Sequence, residues 1–331
     1  MHCVCMQVRA VTEGVPRQKM GAWRVREWAA LAKLTQLTRL HIDVDIIESS
    51  GHDDFYDVLS DLKGLRAVGA WVWDTNRYLP LLQSFPQLTQ ISGGWGGGGE
   101  DTDVKLDVSS LVCPQVRELR EACCSGIPFA AFPNLTAISF YEATADDVLS
   151  LSRYCPALQR IELPNQLSTG EPPGDGDPAA LSMSVFKSFV TFKHLTHLEL
   201  PPCDYVDLAA FVGAAAAASA SAPQLQYLHM HGPQGAMGLQ QLPQLASVCG
   251  LSELSLVVGS ISAEAFPSPE SVGLWLVGLA VVPKVSLTVQ VEEHQTIVDN
   301  AKRWVAECGL ALPSSLRVSV VPEEQASQLA E

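Results

Sequence analysis

The stretch Leu195-Thr196-His197-Leu198-Glu199-Leu200 puts apolar side chains at its first, fourth and sixth positions and variable ones between them. The same order returns throughout the chain, in copies that begin at Leu37, Leu65, Leu88, Val116, Leu135, Leu158, Leu225 and Leu251, with a weaker tenth at Val282. Their starts are 19 to 37 residues apart, with a mean of about 27, inside the period range of short solenoid repeats. Alternate side chains of a strand point to opposite faces, so the apolar positions of each copy line one face and the variable ones the other. One such strand cannot bury its apolar face alone, whereas ten stacked copies share a continuous core.

The segments between copies read as turns and helices. Asp53 to Leu62 has acidic residues early and apolar residues at helical spacing, as a helix N-terminus prefers. Thr144 precedes a second such stretch as its N-cap, with Asp147 three positions on. Pro86, Pro133, Pro156 and Pro223 each fall two residues before a repeat leucine, where any helix must already have ended. Thr296 to Cys308 reads as an amphipathic helix, Leu316 to Val320 as a last alternating strand, and the alanines at 214 to 218 as an extension of a helix.

Over roughly residues 20 to 320, this pattern resembles the leucine-rich repeat family. Within it, Tyr154-Cys155-Pro156-Ala157-Leu158-Gln159-Arg160-Ile161-Glu162-Leu163 is similar to the long, cysteine-containing repeats of F-box substrate receptors. Cys124 and Cys203 stand where that family places Asn or Cys to bond the turn backbone; Asp45, Trp73, Gly96, Ala143, Gln166, Pro233 and Gly259 stand there elsewhere. The resemblance implies an α/β leucine-rich repeat solenoid, a curved horseshoe with a parallel sheet inside and helices outside. It also implies a protein–protein interaction module, in its most specific form the substrate-recognition arm of a ubiquitin ligase. A structural subunit of an axonemal or cytoskeletal assembly is the alternative. No F-box pattern stands before the repeats, so the chain reads as either lacking that module or being part of something longer.

The organisation expected is an extension or degenerate first repeat at 1–20, ten to twelve irregular repeats over 21–321 with a flexible insertion at 165–184, and an acidic tail at 322–331. The glycine-rich loop Gly93 to Asp101 lacks the Lys-Ser/Thr of a phosphate loop and reads as a flexible connection. The Asp175-Gly176-Asp177 fragment does not continue into a calcium loop.

Composition narrows the function classes. With 47% hydrophobic residues the chain can build a large core, which excludes wholesale disorder. A formal charge of −15 repels phosphate backbones and anionic membrane, so nucleic acid and membrane are not expected partners. The longest apolar run, Val272 to Val282, is too short to span a bilayer, and the N-terminus does not read as a secretory signal. Nine scattered cysteines read as reduced thiols, which favours the cytoplasm, with the nucleus or the axoneme as alternatives. Cys3-x-Cys5 and the vicinal Cys123-Cys124 lack the paired C-x-x-C spacing of structural zinc and read as small hydrophobes.

If the copies stack in register, the variable positions form three rows on one face. The first runs Arg39, Ala67, Gln90, Glu118, Ala137, Arg160, His197, Tyr227, Glu253. The second runs His41, Gly69, Ser92, Arg120, Ser139, Glu162, Glu199, His229, Ser255, and the third includes Trp71, Gly94, Ala122, His231 and Val257. Arg160, Glu162, His197, Glu199, Tyr227, His229, His231 and Glu253 then share neighbouring strands, mixed charge beside an aromatic as protein-recognition patches have. A polar face serving only solubility is the competing reading. Trp71 is the candidate on the early repeats, near Trp73 and Trp95. A metal-binding or hydrolytic site at Glu162, Glu199, His229 and His231 is the minor alternative; a broad shallow face without a nucleophile motif speaks against it. We therefore expect no enzyme, no cofactor and no metal, and a chain acting as a monomer or a subunit of a larger assembly with a protein partner.

Overall fold

In a computed structural model of the chain, the described residues are 37–42, 52–70, 80–94, 112–123, 127–163, 167–168, 188–200, 213–217, 224–231, 239–258, 266–289, 292–313 and 315–320. Twelve strands run through them: β1 Arg39–Ile42, β2 Ala67–Ala70, β3 Gln90–Gly94, β4 Glu118–Cys123, β5 Ala137–Thr144, β6 Arg160–Glu162, β7 Leu167–Ser168, β8 His197–Leu200, β9 Tyr227–His231, β10 Glu253–Val258, β11 Lys284–Val289 and β12 Arg317–Val320. Five helices lie between them: α1 His52–Asp61, α2 Ala145–Tyr154, α3 Leu242–Cys249, α4 Pro269–Gly278 and α5 Glu292–Glu307. Residues 213–217 are helical as well, as the alanine tract predicts. The chain is an α/β protein that divides into two compact units at Tyr141/Glu142, with β5 crossing the division.

In the first unit the strands stand in chain order, β1 beside β2, β2 beside β3 and β3 beside β4, all parallel. In the second the order is β6, β8, β9, β10, β11, β12, again all parallel. Ten of the strands other than β7 and β12 begin at, or carry, the repeat stretches read from the sequence, and β12 falls on the expected last strand. Leu167 and Ser168, inside the segment expected to be a flexible insertion, form β7 and pair with Ala143 and Thr144. The rest of that insertion, residues 1–20, the tail 322–331, Cys124 and Cys203 lie outside the described residues.

One backbone device recurs at seven of the ten copies. The residue three before the first apolar position is buried, and its carbonyl accepts the N–H of that position. Leu62, Phe85, Cys113, Phe132, Cys155, Phe192 and Leu279 accept in this way from Leu65, Leu88, Val116, Leu135, Leu158, Leu195 and Val282, at 2.9–3.2 Å. The turn explains the prolines: Pro86, Pro133 and Pro156 follow the accepting residue, where no N–H is required. Phe85, Phe132 and Phe192 are among the largest fully buried side chains. Cys113 and Cys155 fill the same position, and burial pushes their thiols up to about 11 and about 12, which suppresses the reactive thiolate.

A second device joins successive repeats. The carbonyls of Thr38, Arg66, Thr89, Arg117, Gln159, Thr196 and Gln226 each accept two consecutive N–H groups from the next repeat, at 2.8–3.1 Å. The threonines of the Leu-Thr repeats add to it, since the Thr89, Thr136 and Thr196 hydroxyls donate to Arg66, Arg117 and Gln159 at 3.0–3.2 Å.

In the second unit α4 packs against α5, and α5 against β11. Ser268 caps α4: its hydroxyl accepts from the Ser271 N–H while Ser271 returns the bond, and Pro269 starts the helix. Phe266 and Trp275 pack with ring centroids 5.3 Å apart, and the buried Trp275 indole donates to the Leu239 carbonyl at 2.7 Å. Helix α5 begins at Glu292, four residues before the start the spacing predicts. Among the described residues no helix is long and apolar enough to cross a membrane.

The third row of the expected face needs one correction. Gly93, at φ +110°, lies at a register shift between β3 and β4, so Gly94 stands opposite Cys123 rather than Ala122. Only glycine takes that backbone geometry without strain, and the bulge moves one residue out of the alternation. Ala122 is consequently buried, off the solvent face.

Candidate functional site

In the second unit the expected rows are real neighbours. Arg160 stands opposite His197, His197 opposite Tyr227, Tyr227 opposite Glu253, and Glu253 opposite Lys284. One step along, Glu162, Glu199, His229, Ser255, Ser286 and Arg317 form the second row. Parallel strands bring row neighbours within about 4.8 Å of one another. Beneath them Ile161, Leu198, Leu228, Leu254 and Val285 are buried, so the alternation that makes the core also aims the polar residues outward. His231 stands opposite Val257 at the third row. Trp71, Trp73 and Trp95 lie outside the described residues.

Arg160, Glu162, His197, Glu199 and Tyr227, over Ile161 and Leu198, line an open depression of about 240 Å³. Its wall is the His197–Tyr227 pair, with ring centroids 5.7 Å apart and planes tilted by 32°, within the range of favourable ring contacts. Ion pairs stand on either side: Arg160 with Glu162 on one, Lys284 Nζ with Glu253 Oε1 at 2.5 Å on the other. Both cations are more than half exposed, so each pair contributes at most about 1 kcal/mol to stability and serves mainly to arrange charge. Lys284 is the member that the sequence rows missed, because they stopped at the ninth copy. Its signal was its place between Val282 and Val285, at the third position of the weak tenth copy, the position that supplies the first row. In the first unit Glu118 and Arg120 occupy the same two rows with the charges reversed, 2.7 Å apart.

The field at the depression is negative. Burial holds the Tyr227 phenol above its ordinary pKa, and Glu199, Glu253 and Glu162 push it further up against the opposing pull of Arg160. Thr196 Oγ1 lies 2.8 Å from His197 Nδ1 and 3.2 Å from the Gln159 carbonyl oxygen, so the hydroxyl ties the ring to the strand start.

His229 lies deeper, opposite Glu199 on one side and Ser255 on the other. Burial lowers its pKa. Unfolding therefore takes up a proton once the pH falls below the unfolded value of about 6.5, so the His229 contribution is full above that pH and is lost as the pH falls through the lowered folded value. We expect the wild-type urea midpoint to drop more steeply between pH 7 and pH 5 than that of His229→Gln. Parallel midpoint curves for the two proteins would contradict this.

Glu199 and His229 are thus neighbours in register, as the hydrolytic alternative requires, but Glu199 lines an open depression rather than a closed pocket. Among the described residues no three His, Cys, Asp or Glu side chains are placed to hold a metal ion. No family model matches the chain, and no curated protein matches it at a significant level.

Proposed function

We propose that the chain is a leucine-rich repeat protein whose second unit recognises another protein through the face of β6 to β11. The single observation that carries this reading is the depression at His197 and Tyr227, an aromatic pair between two ion pairs on one continuous sheet face. Interfaces place an aromatic anchor at the centre and charge at the rim. Held on neighbouring parallel strands, these side chains are already positioned, so little ordering cost opposes binding. The repeat period and the chain-order parallel strands support the family reading. The similarity to F-box receptor repeats makes substrate recognition for a ubiquitin ligase the more specific form of the proposal. The openness of the depression to water favours binding over catalysis.

Affinity capture with the wild-type chain and with Tyr227→Ala/Glu199→Ala tests it. Specific partners should be captured by the wild type and lost with the variant, while the urea midpoints of the two stay close. Co-capture of a cullin-type ligase scaffold supports the ligase form, and co-sedimentation with microtubules supports the axonemal alternative. An unchanged partner list would show that the face is not the recognition surface.

A further inference from the structure

The end of the sheet carries a different chemistry from the depression. Strands β11 and β12 turn Lys284, Ser286, Thr288, Arg317 and Ser319 to the polar face, since Val285, Leu287 and Val318 take the alternate positions. No carboxylate stands among those five side chains. Arg317 lies opposite Ser286, and Ser286 opposite Ser255 on β10. Arg120, Arg160 and Lys284 each meet a glutamate, whereas among the described residues the exposed Arg317 guanidinium meets no carboxylate. Its neighbours are hydroxyls. Thr288 Oγ1 and Ser319 Oγ lie 3.1 Å apart; two hydroxyls share one hydrogen between them, so the pair keeps a second to donate outward. The guanidinium adds five donors in a rigid fork.

We propose that Arg317, Ser286 and the Thr288–Ser319 pair form a site for a phosphate monoester, supplied by a phosphorylated serine or threonine of the partner protein. The partner as source rests on the function proposed above; the chemistry of the site does not. A phosphorylated side chain carries a charge of about −1.5 to −2 at pH 7 and three oxygens that accept hydrogen bonds. The fork takes two of those oxygens side by side, which leaves the third to the hydroxyls. A carboxylate has two oxygens and one charge, and offers the hydroxyls nothing once the fork has taken both. Lys284, two residues before Ser286 on the same strand, adds positive field although Glu253 engages its ammonium. The chain's charge of −15 does not cancel this local field, because at physiological salt exposed charges more than about 8 Å away are largely screened. It does repel a polyanion, which favours a single phosphate on an otherwise neutral or basic segment.

The probe is the capped tripeptide Gly-phosphoserine-Gly, with Gly-Ser-Gly, Gly-Glu-Gly and inorganic phosphate as comparisons, titrated into the full chain with isotope-labelled arginine. Binding is read by NMR from the phosphorus resonance of the probe and from the Arg317 side-chain N–H, identified by its loss in Arg317→Gln. The phosphopeptide should give saturable shifts in both, and the serine peptide none. The glutamate peptide should bind more weakly, and so should inorganic phosphate, which gains no contact from flanking backbone. Arg317→Gln should abolish saturation of the phosphorus shift, and Ser286→Ala should weaken binding by about two- to tenfold, the range of one hydrogen bond. Arg160→Gln removes the same charge from β6, five strands and about 24 Å away, and should leave the affinity unchanged. Equal weakening by Arg160→Gln and Arg317→Gln would reduce the binding to general attraction and overturn the proposal. So would a glutamate peptide that binds as tightly as the phosphopeptide. Inorganic phosphate binding as tightly would overturn a presented side chain as the source. If captured partners vanish with Tyr227→Ala/Glu199→Ala while the phosphopeptide gives no saturable shift, the recognition face stands and the phosphate site is refuted. If the phosphopeptide binds as expected and Arg317→Gln leaves the captured partners unchanged, the site stands and the partner is not its source.

Discussion

Phe192→Ala lowers the stability of the second unit by about 3–5 kcal/mol, read as a lower urea midpoint in the fluorescence of the buried Trp275. The ring is 1% exposed and sits at the turn residue whose carbonyl accepts the Leu195 N–H at 3.0 Å. It also packs against Phe189, with centroids 6.5 Å apart. Truncation removes the transfer free energy of the ring and leaves a cavity beside a backbone turn that cannot close over it, because the next strand is bonded in register to its neighbours. Phe192→Leu keeps most of the volume, so its cost should stay below about 1.5 kcal/mol. A loss under about 1 kcal/mol for the alanine variant would show that the turn position is not part of the core. The effect reaches the face as well, since β8, which follows this turn, carries His197 and Glu199.

Gly273→Leu gives the second large effect, a loss of about 1–3 kcal/mol from overpacking. Helix α4 lies so close to α5 that a Cβ on Gly273 would stand 2.6 Å from Trp304 Cε3 and 3.1 Å from Val305 Cγ2. Alanine in a helix interior ordinarily gains up to about 1 kcal/mol over glycine; here the clash opposes that gain, so Gly273→Ala is close to neutral or mildly destabilising. Trp304 is partly exposed and its ring can swing away. The diagnostic is therefore the Trp304 emission, which should shift to the red in Gly273→Leu, and Trp304→Leu should recover part of the lost stability in the double variant. Additive losses would mean that the two residues do not meet.

Much of the site was legible because the repeat sets both the alternation and the register. Reading Arg160, His197, Tyr227 and Glu253 as one row requires only that each copy start in phase, and the paired strands do. The illegible parts are those where local chemistry departs from that phase. Opposite Gly93, β4 carries one extra residue that no periodicity announces, and Ala122 turns inward there. Helix α5 starts at Glu292 because acidic residues favour a helix N-terminus, although they carry no apolar spacing to reveal it. Helix α4 is apolar almost all round, so it shows no amphipathic period; the signal lay in Ser268 and Pro269, a cap followed by a first-turn proline. The carboxylates flanking Tyr227 were readable as residues, but their balance with Arg160 and Lys284 was not, since it depends on which side chains meet.

The carbonyl that accepts two N–H groups from the following repeat has a consequence for how such a surface changes over time. At the strand starts, much of the cohesion between neighbouring copies is carried by main-chain atoms, aided by side chains such as the Thr89, Thr136 and Thr196 hydroxyls. The outward letters, among them His197, Glu199 and Tyr227, contribute little to that cohesion and are open to substitution one at a time. The face can thus be rewritten for a new ligand, by mutation or by design, while the scaffold beneath keeps its shape.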